Sequence, residues 1–180
     1  VIPTLFRDQE LAFLDLETSG LNPLANGVMQ VGICVATPKL ILSASYDSLV
    51  KPYGYAVSGG ALEINGLSLA ENQAMGADGG EVAQNVKKML VGRLPVGQNV
   101  KFDLEFLRSF FAKFGVSWDG MPKYAIDTAS LAWPLVLAGK LESPSLDKMC
   151  TYFEIPPRTG HHDALADAVL TYNVYKKLMA

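Results

Sequence analysis

The apolar positions divide the chain into short runs near the N-terminus and longer periodic stretches after residue 80. Residues 11–16 (LAFLDL) form a compact apolar run and read as a buried strand. Residues 28–36 (VMQVGICVA) and 40–50 predict two more strands, with Thr37-Pro38-Lys39 as the turn between them. Three strands with short connections predict an antiparallel start to a sheet. Residues 58–80 are rich in Gly and Asn and are expected to be irregular, apart from a short helix near Leu69. Helical spacing returns at 81–91, with Val82, Val86, Met89 and Leu90 on one side. Residues 94–97 and 124–126 predict short strands, and 104–114, 128–137, 146–153 and 163–179 predict helices. Phe106, Phe110, Phe111 and Phe114 share one side of the 104–114 helix and are expected in the core. Strands first, then strands alternating with helices, define an α/β fold whose later strands run parallel through crossover helices.

Composition bounds the class. The chain has 180 residues, 49% hydrophobic and 18% charged, a length of about one domain at roughly 150 residues each. No repeat or linker interrupts it, so residues 1–180 are expected to form a single domain. The richest apolar stretch, 131–139, is broken by Pro134 and falls short of the roughly 20 residues of a membrane span. The first residues, VIPTLFRDQE, show no signal-peptide pattern. Cys34 and Cys150 lie far apart in apolar surroundings and read as free thiols of a reducing compartment. A cytoplasmic location is the expectation.

Charge changes the picture. The net charge is −3, which counts against nucleic-acid binding by bulk positive charge. It is unevenly placed: residues 1–80 carry 3 basic and 8 acidic side chains, and residues 81–180 carry 12 and 10. The C-terminal part is therefore the side better suited to a phosphate backbone.

The acids supply candidate chemistry. Asp15 and Glu17 are two residues apart at the end of a buried strand, so both carboxylates share one face. They are either a solvated strand end or a site for a divalent cation, which would offset the cost of burying them. Asp103 follows Gln98-Asn99-Val100-Lys101-Phe102 and opens a helix, where it can act as an N-cap. Asp167 borders the packed face of the last helix. His162 precedes it by five residues, about 140° around a helix, and is expected on the loop after Pro156-Pro157-Arg158-Thr159-Gly160. A loop histidine beside such acids is suited to general-base work. His161 reads as an ordinary loop residue, Asp163 as a contributor to the helix N-terminus, and Asp127-Thr128 as a helix cap.

Together, Asp15-x-Glu17, Asp103 and His162-x4-Asp167 resemble, in order and context, the three motifs of the DEDDh, or DnaQ-like, 3′–5′ exonucleases, the family that includes the proofreading epsilon subunit of bacterial DNA polymerase III. Asp163 stands where the sister class has a Tyr, which favours the His class. The resemblance spans nearly the whole chain and implies a ribonuclease H-like fold with a central mixed β-sheet flanked by α-helices. It implies that Asp15, Glu17, Asp103 and Asp167 hold two Mg²⁺ or Mn²⁺ ions about 4 Å apart, with His162 as general base. The implied reaction is stepwise hydrolysis at the 3′ end of DNA, single-stranded or frayed, releasing nucleoside 5′-monophosphates. RNA-directed relatives and inactive binding modules share the scaffold. Thr18 matches the position that approaches the terminal nucleotide, and Leu21 either wedges against the last base or packs in the turn. Gln98 and Asn65 stand where many members have His, which bears on substrate fit. Arg158 and Lys101 flank the site as phosphate contacts or solvated cations. The chain ends soon after the last motif helix, so a standalone enzyme, an excised domain and a polymerase partner all stay open.

Overall fold

The computed structural model describes residues 8–158 and 160–180. Residues 1–7, where the leader reading falls, and Thr159 of the loop before the last helix lie outside the described residues.

Five strands form one mixed sheet in the order β3-β2-β1-β4-β5. They are β1 (Leu11–Thr18), β2 (Val28–Ala36), β3 (Leu42–Leu49), β4 (Leu94–Gly97) and β5 (Ile126–Asp127). The β1–β2 and β2–β3 pairs are antiparallel, and the β1–β4 and β4–β5 pairs are parallel. Seven helices are described: α1 (Gly59–Asn65), α2 (Leu69–Met75), α3 (Gly79–Leu90), α4 (Val100–Lys113), α5 (Thr128–Leu137), α6 (Leu146–Tyr152) and α7 (Ala164–Leu178).

The period-2 geometry of β1 sorts its side chains between two cores. Ala12, Leu14 and Leu16 pack with Val82, Val86 and Leu90 of α3 and with Phe106, Leu107, Phe110 and Phe111 of α4. Leu11 and Phe13 point the other way, against Ala168, Tyr172 and Tyr175 of α7. The Phe13 ring meets Tyr172 and Tyr175 edge-on, at centroid distances of 5.3 and 5.5 Å. Asp15 and Glu17 continue that second face beyond Phe13, so they emerge where α7 begins. A third cluster joins α5, α6 and α7 through Ala132, Met149, Cys150 and Val174.

Four sequence expectations need correction. Residues 59–65 form a helix rather than an irregular segment. Gly59-Gly60 hides it from propensity reasoning, since Gly is a poor helix former, and Gly66 ends it in the left-handed region at φ 67°. Helix α4 begins at Val100, not 104, because Asn99 at φ 57° turns the chain directly into it. Asp103 is therefore in the first helical turn and is not an N-cap. The last strand is Ile126–Asp127, not 124–126. It pairs with β4 through Val96↔Ile126 and Gly97↔Asp127, which leaves Tyr124 before the strand.

Gly32 decides how closely α7 approaches the sheet. It lies opposite Asp15 in the β1–β2 register. A Cβ there would sit 2.1 Å from the Ala164 carbonyl carbon and 2.1 Å from the Leu165 nitrogen, so backbone would have to move. Gly32→Ala is expected to cost about 1–3 kcal/mol of overpacking, a fall of about 2–4 °C in melting temperature per kcal/mol for a domain of this size. Thermal unfolding measures it, and an unchanged melting temperature would show that α7 is free to shift.

Candidate active site

Four carboxylates and one imidazole converge where β1, α4 and α7 meet. Glu17, Asp103 and Asp167 are almost fully buried, with 6%, 3% and 2% exposure, and Asp15 is half-buried. Strand β1 delivers Asp15 and Glu17. Helix α4 delivers Asp103 from the other side of the sheet. Strand β4 pairs with β1 only over Leu11–Phe13, so further along β1 the Leu16 N–H needs another acceptor. It donates to Asp103 Oδ1 at 3.1 Å, which ties the first turn of α4 to the strand between the two acids.

Helix α7 delivers Asp167 in its first turn, and its start is clamped. Asp163 is the N-cap, accepting from the Ala166 N–H at 2.9 Å, as expected for an acid at a helix N-terminus. Gln30, opposite Glu17 in β2, donates through Nε2 to Asp47 and to Asp163, each at 3.0 Å, and accepts from the Ala164 N–H. Sequence reasoning missed Gln30. Its signal was a polar residue inside an otherwise apolar strand. Asp127 caps α5 and also accepts from the Asn99 N–H at 2.8 Å, so the Asp127-Thr128 pair braces the entry to α4.

His162 sits on the loop before α7, as its spacing requires. Its Nδ1 lies 3.1 Å from Asp167 Oδ2 and 4.0 Å from Glu17 Oε1. Arg158 is not a solvated cation: its side chain is 13% exposed, and it bridges Asp147 (Nη2 to Oδ1, 3.2 Å) and Asp167 (Nη1 to Oδ2, 3.3 Å). Its Nε and Nη1 have no hydrogen-bond partner. Lys101 points away from this cluster in its contacts, 3.8 Å from Glu105 and exposed. His161 is exposed and closes over Gly66, where a Cβ would meet the ring at 2.6 Å.

The proposed substrate-contacting residues divide. The Thr18 hydroxyl donates to the Gly20 carbonyl at 2.7 Å, and its own carbonyl accepts from Asn65 Nδ2 at 3.2 Å. Asn65 is buried and also accepts from the Leu67 N–H, so it fastens the end of α1 to the end of β1. Leu21 is 85% exposed. Thr18, Leu21 and Asn65 nevertheless line one cavity of about 170 Å³ with Glu17, Ile64 and Phe102. Ile64 and Phe102 escaped the sequence reading, Ile64 because α1 was not foreseen and Phe102 because it preceded the expected start of α4.

The electrostatics call for a cation. Burial raises Glu17 from 4.5 to about 8, with Asp167 and Asp163 adding to the rise and Arg158 opposing it. Asp15 is pushed well above the usual carboxylate range by burial and then by Asp103, Glu17 and Asp167. Asp103 is raised chiefly by burial, against hydrogen bonds from its own and the Leu16 N–H. Asp167 is raised by burial, although Arg158 and His162 lower it. Buried Glu17 Oε1 and Asp167 Oδ1 have no hydrogen-bond partner, and Glu17, His162 and Asp167 each offer an atom within 4.8 Å of the others. Four neighbouring carboxylates, two of them with orphaned acceptor oxygens, fit a hard divalent cation.

Comparison with known proteins agrees with this geometry. The exonuclease (RNase T) family model matches residues 12–175. The chain is 31% identical over 177 residues to the DNA polymerase III PolC-type protein of Thermotoga maritima, covering 97% of the chain and 12% of that protein. It is 29% identical over 168 residues to a DNA polymerase III subunit epsilon-like protein of Rhodobacter capsulatus, covering 92% of the chain and 23% of that protein. Exonuclease I of E. coli, solved with a dT13 oligonucleotide, superposes with a TM-score of 0.81 at 20% identity, over 96% of this chain and 41% of that one. The fold is the ribonuclease H-like α/β fold. The chain belongs to the RNase T exonuclease family, within the DnaQ-like class of 3′–5′ exonucleases. Members of that family depend on divalent metal. The chain spans only a small part of the polymerase relatives.

The raised Glu17 gives a signed pH dependence. Its value in the fold lies above the 4.5 of an unconstrained glutamate, so the folded state binds the proton more tightly. That contribution is complete below about pH 4.5 and is lost as the pH rises through about 8. In EDTA, Glu17→Gln should therefore match wild type near pH 5 and melt higher at pH 8, by at least the roughly 2–4 °C that 1 kcal/mol produces in a domain of this size. Thermal melts at the two pH values check this. A variant less stable at pH 8 would mean that the carboxylate is compensated within the protein.

Proposed function

We propose that the protein is a 3′–5′ exonuclease that removes nucleoside 5′-monophosphates from the 3′ end of DNA, single-stranded or frayed. The observation that carries this reading is the cluster of raised, mutually repelling carboxylates. It holds two orphaned oxygens, an imidazole at its edge and an apolar cavity beside Glu17. The names of the relatives support DNA as the polymer, and the exonuclease I complex shows this fold holding an oligonucleotide in that enzyme.

In this reading Asp15, Glu17, Asp103 and Asp167 hold two Mg²⁺ or Mn²⁺ ions. Bound divalent ions would supply Lewis-acid activation of the attacking water and charge stabilisation of the leaving 3′-oxygen. His162 takes the proton from that water. An Nδ1–H aimed at Asp167 Oδ2 leaves its Nε2 lone pair for the task, the role an imidazole commonly fills in general-base chemistry. Arg158 holds Asp167 through Oδ2, so Oδ1 faces the cluster. Its Nε, which has no hydrogen-bond partner, is suited to donate to the phosphate. Leu21, Ile64 and Phe102 give the terminal base an apolar seat, and the Thr18–Asn65 link keeps the floor of that seat rigid. No described helix is long and apolar enough to cross a membrane, and the reading places the chain in the cytoplasm, alone or as part of a replication polymerase.

The test is digestion of a 5′-labelled single strand with a free 3′ end, in Mg²⁺ and in EDTA, with DNA and RNA of one sequence in parallel. Wild type should release 5′-monophosphates in Mg²⁺ only and prefer DNA. Asp15→Ala and Asp167→Ala should abolish digestion, and His162→Ala should lose about 10²–10⁴ in rate. Full activity in both acid variants would sink the mechanism, and faster cleavage of RNA would reassign the substrate.

A further inference from the structure

On the side of α4 away from the apolar seat lies a second groove, of about 450 Å³, closed by residues 118–125. Lys101, Arg108 and Lys123 line it, and Glu105 is its acid. Three cations to one anion is an unusual local balance in a chain of net charge −3. Glu105 is committed to Lys101 at 3.8 Å. Arg108 and Lys123 form no ion pair with a carboxylate among the described residues. Each instead lies over an aromatic ring: the Arg108 guanidinium is 4.6 Å from the Trp118 centroid, and Lys123 Nζ is 5.5 Å from that of Tyr124. Trp118 is itself held by Phe111 from the core, at 5.4 Å. Stacking fixes a long cationic side chain without consuming its hydrogen-bond donors. Arg108 is thus held in place while its fork stays available.

Position identifies the ligand. Lys101 is in the first turn of α4, two residues from Asp103. Arg108 follows about 10 Å further along the helix axis, so the two cations are spread along the groove and are not gathered at one point. The groove therefore leads away from the acid cluster along the helix that supplies one of its carboxylates. It also accounts for the positive balance of residues 81–180. A row of cations beside aromatic rings, on the helix that also supplies Asp103, matches the chemistry of single-strand binding.

We infer that this groove holds the sugar-phosphate backbone of the substrate strand a few nucleotides upstream of its 3′ end, through Arg108, Lys123 and Lys101. The inference rests on the exonuclease reading above and extends it from the reacting end to the path of the strand.

The test compares the full chain with the Arg108→Gln/Lys123→Gln double variant. Binding of a labelled single-stranded oligonucleotide is followed by fluorescence anisotropy in EDTA, where no cleavage is needed, over a range of salt. Hydrolysis in Mg²⁺ is followed on a long single strand and on a dinucleotide. The variant should bind about tenfold more weakly at low salt, and its salt dependence should flatten by about 1.4, two contacts at about 0.7 each. Its KM for the long strand should rise far more than its KM for the dinucleotide. Equal losses on both substrates, or unchanged binding and salt slope, would overturn the inference. So would a poly-glutamate peptide that competes as well as oligothymidylate, which would assign the groove to an acidic protein. A single Lys123→Gln variant, which leaves the Arg108–Trp118 stack intact, should show half the change in slope if the double variant is poorly folded. Wild type that cleaves neither substrate yet binds through the groove would refute the exonuclease reading, whereas cleavage of both substrates with binding unchanged in the double variant would overturn the groove alone.

Discussion

Like charges forced together at the end of a buried strand constrain everything else in this protein. Asp15 and Glu17 leave the sheet on the face that carries Leu11 and Phe13, so they are committed to a packed environment before Asp103 and Asp167 arrive. Each added carboxylate raises the cost of ionising the others, and burial raises it further. The chain answers with limited compensation. Arg158 and His162 approach Asp167, the Leu16 N–H reaches Asp103, and two oxygens are left without partners. Residual repulsion of this kind is what a divalent ion relieves, and a site that were neutral by itself would bind one weakly. Stability is given up here for function, as strained functional sites generally require.

The architecture that permits the cluster is a close approach of helix to sheet. Gly32 lets the α7 backbone sit over β2 directly opposite Asp15. Gln30, two residues earlier on the same strand, holds the Asp163 cap and the Ala164 N–H. The two residues act in sequence: glycine creates the room, and glutamine fixes the rotation and depth of the helix start. Asp167 follows one turn later and inherits that precision. On the other side, Asp127 spans the caps of α4 and α5, so Asp103 is positioned from the β5 end of the sheet. The acids are thus held by regular elements, and the loop contributes His162 and the Arg158 brace.

How much of this was legible in sequence follows from the range of the interaction involved. The Asp15–Glu17 pair was visible because strand periodicity is local and a pair of acids in an apolar run stands out. His162 was placed on a loop by helical arithmetic alone, and the structure agrees. Helix α1 was hidden because two glycines mask its first turn, and Ile64 was lost with it. The early start of α4 was missed because it depends on Asn99 adopting positive φ, with its N–H donating to the Asp127 carboxylate 28 residues away. The pairing of Arg158 with Asp147 and Asp167 was equally invisible, since helix packing brings those three together and no spacing encodes it. Resemblance to a known family carried the assignment of the acids. It could not say that Gln30 or Gly32 would be needed to assemble them.

The acidic net charge also takes on a different meaning. A protein that binds a polyanion by its overall field needs a basic surface, and −3 excludes that mode. A protein that binds through fixed points does not need one. In the exonuclease reading proposed above, the acids of the cluster would repel phosphate only until cations occupied them, after which the same carboxylates would anchor positive charge at the reacting bond. Away from that point, Arg108 and Lys123 are cations without acidic partners, held by aromatic rings rather than by carboxylates. Aromatic support matters because a neighbouring carboxylate would fix the side chain while cancelling its field. The distribution of charge, and the way each cation is held, decides which polymer the surface can accept, and the sum over the chain does not.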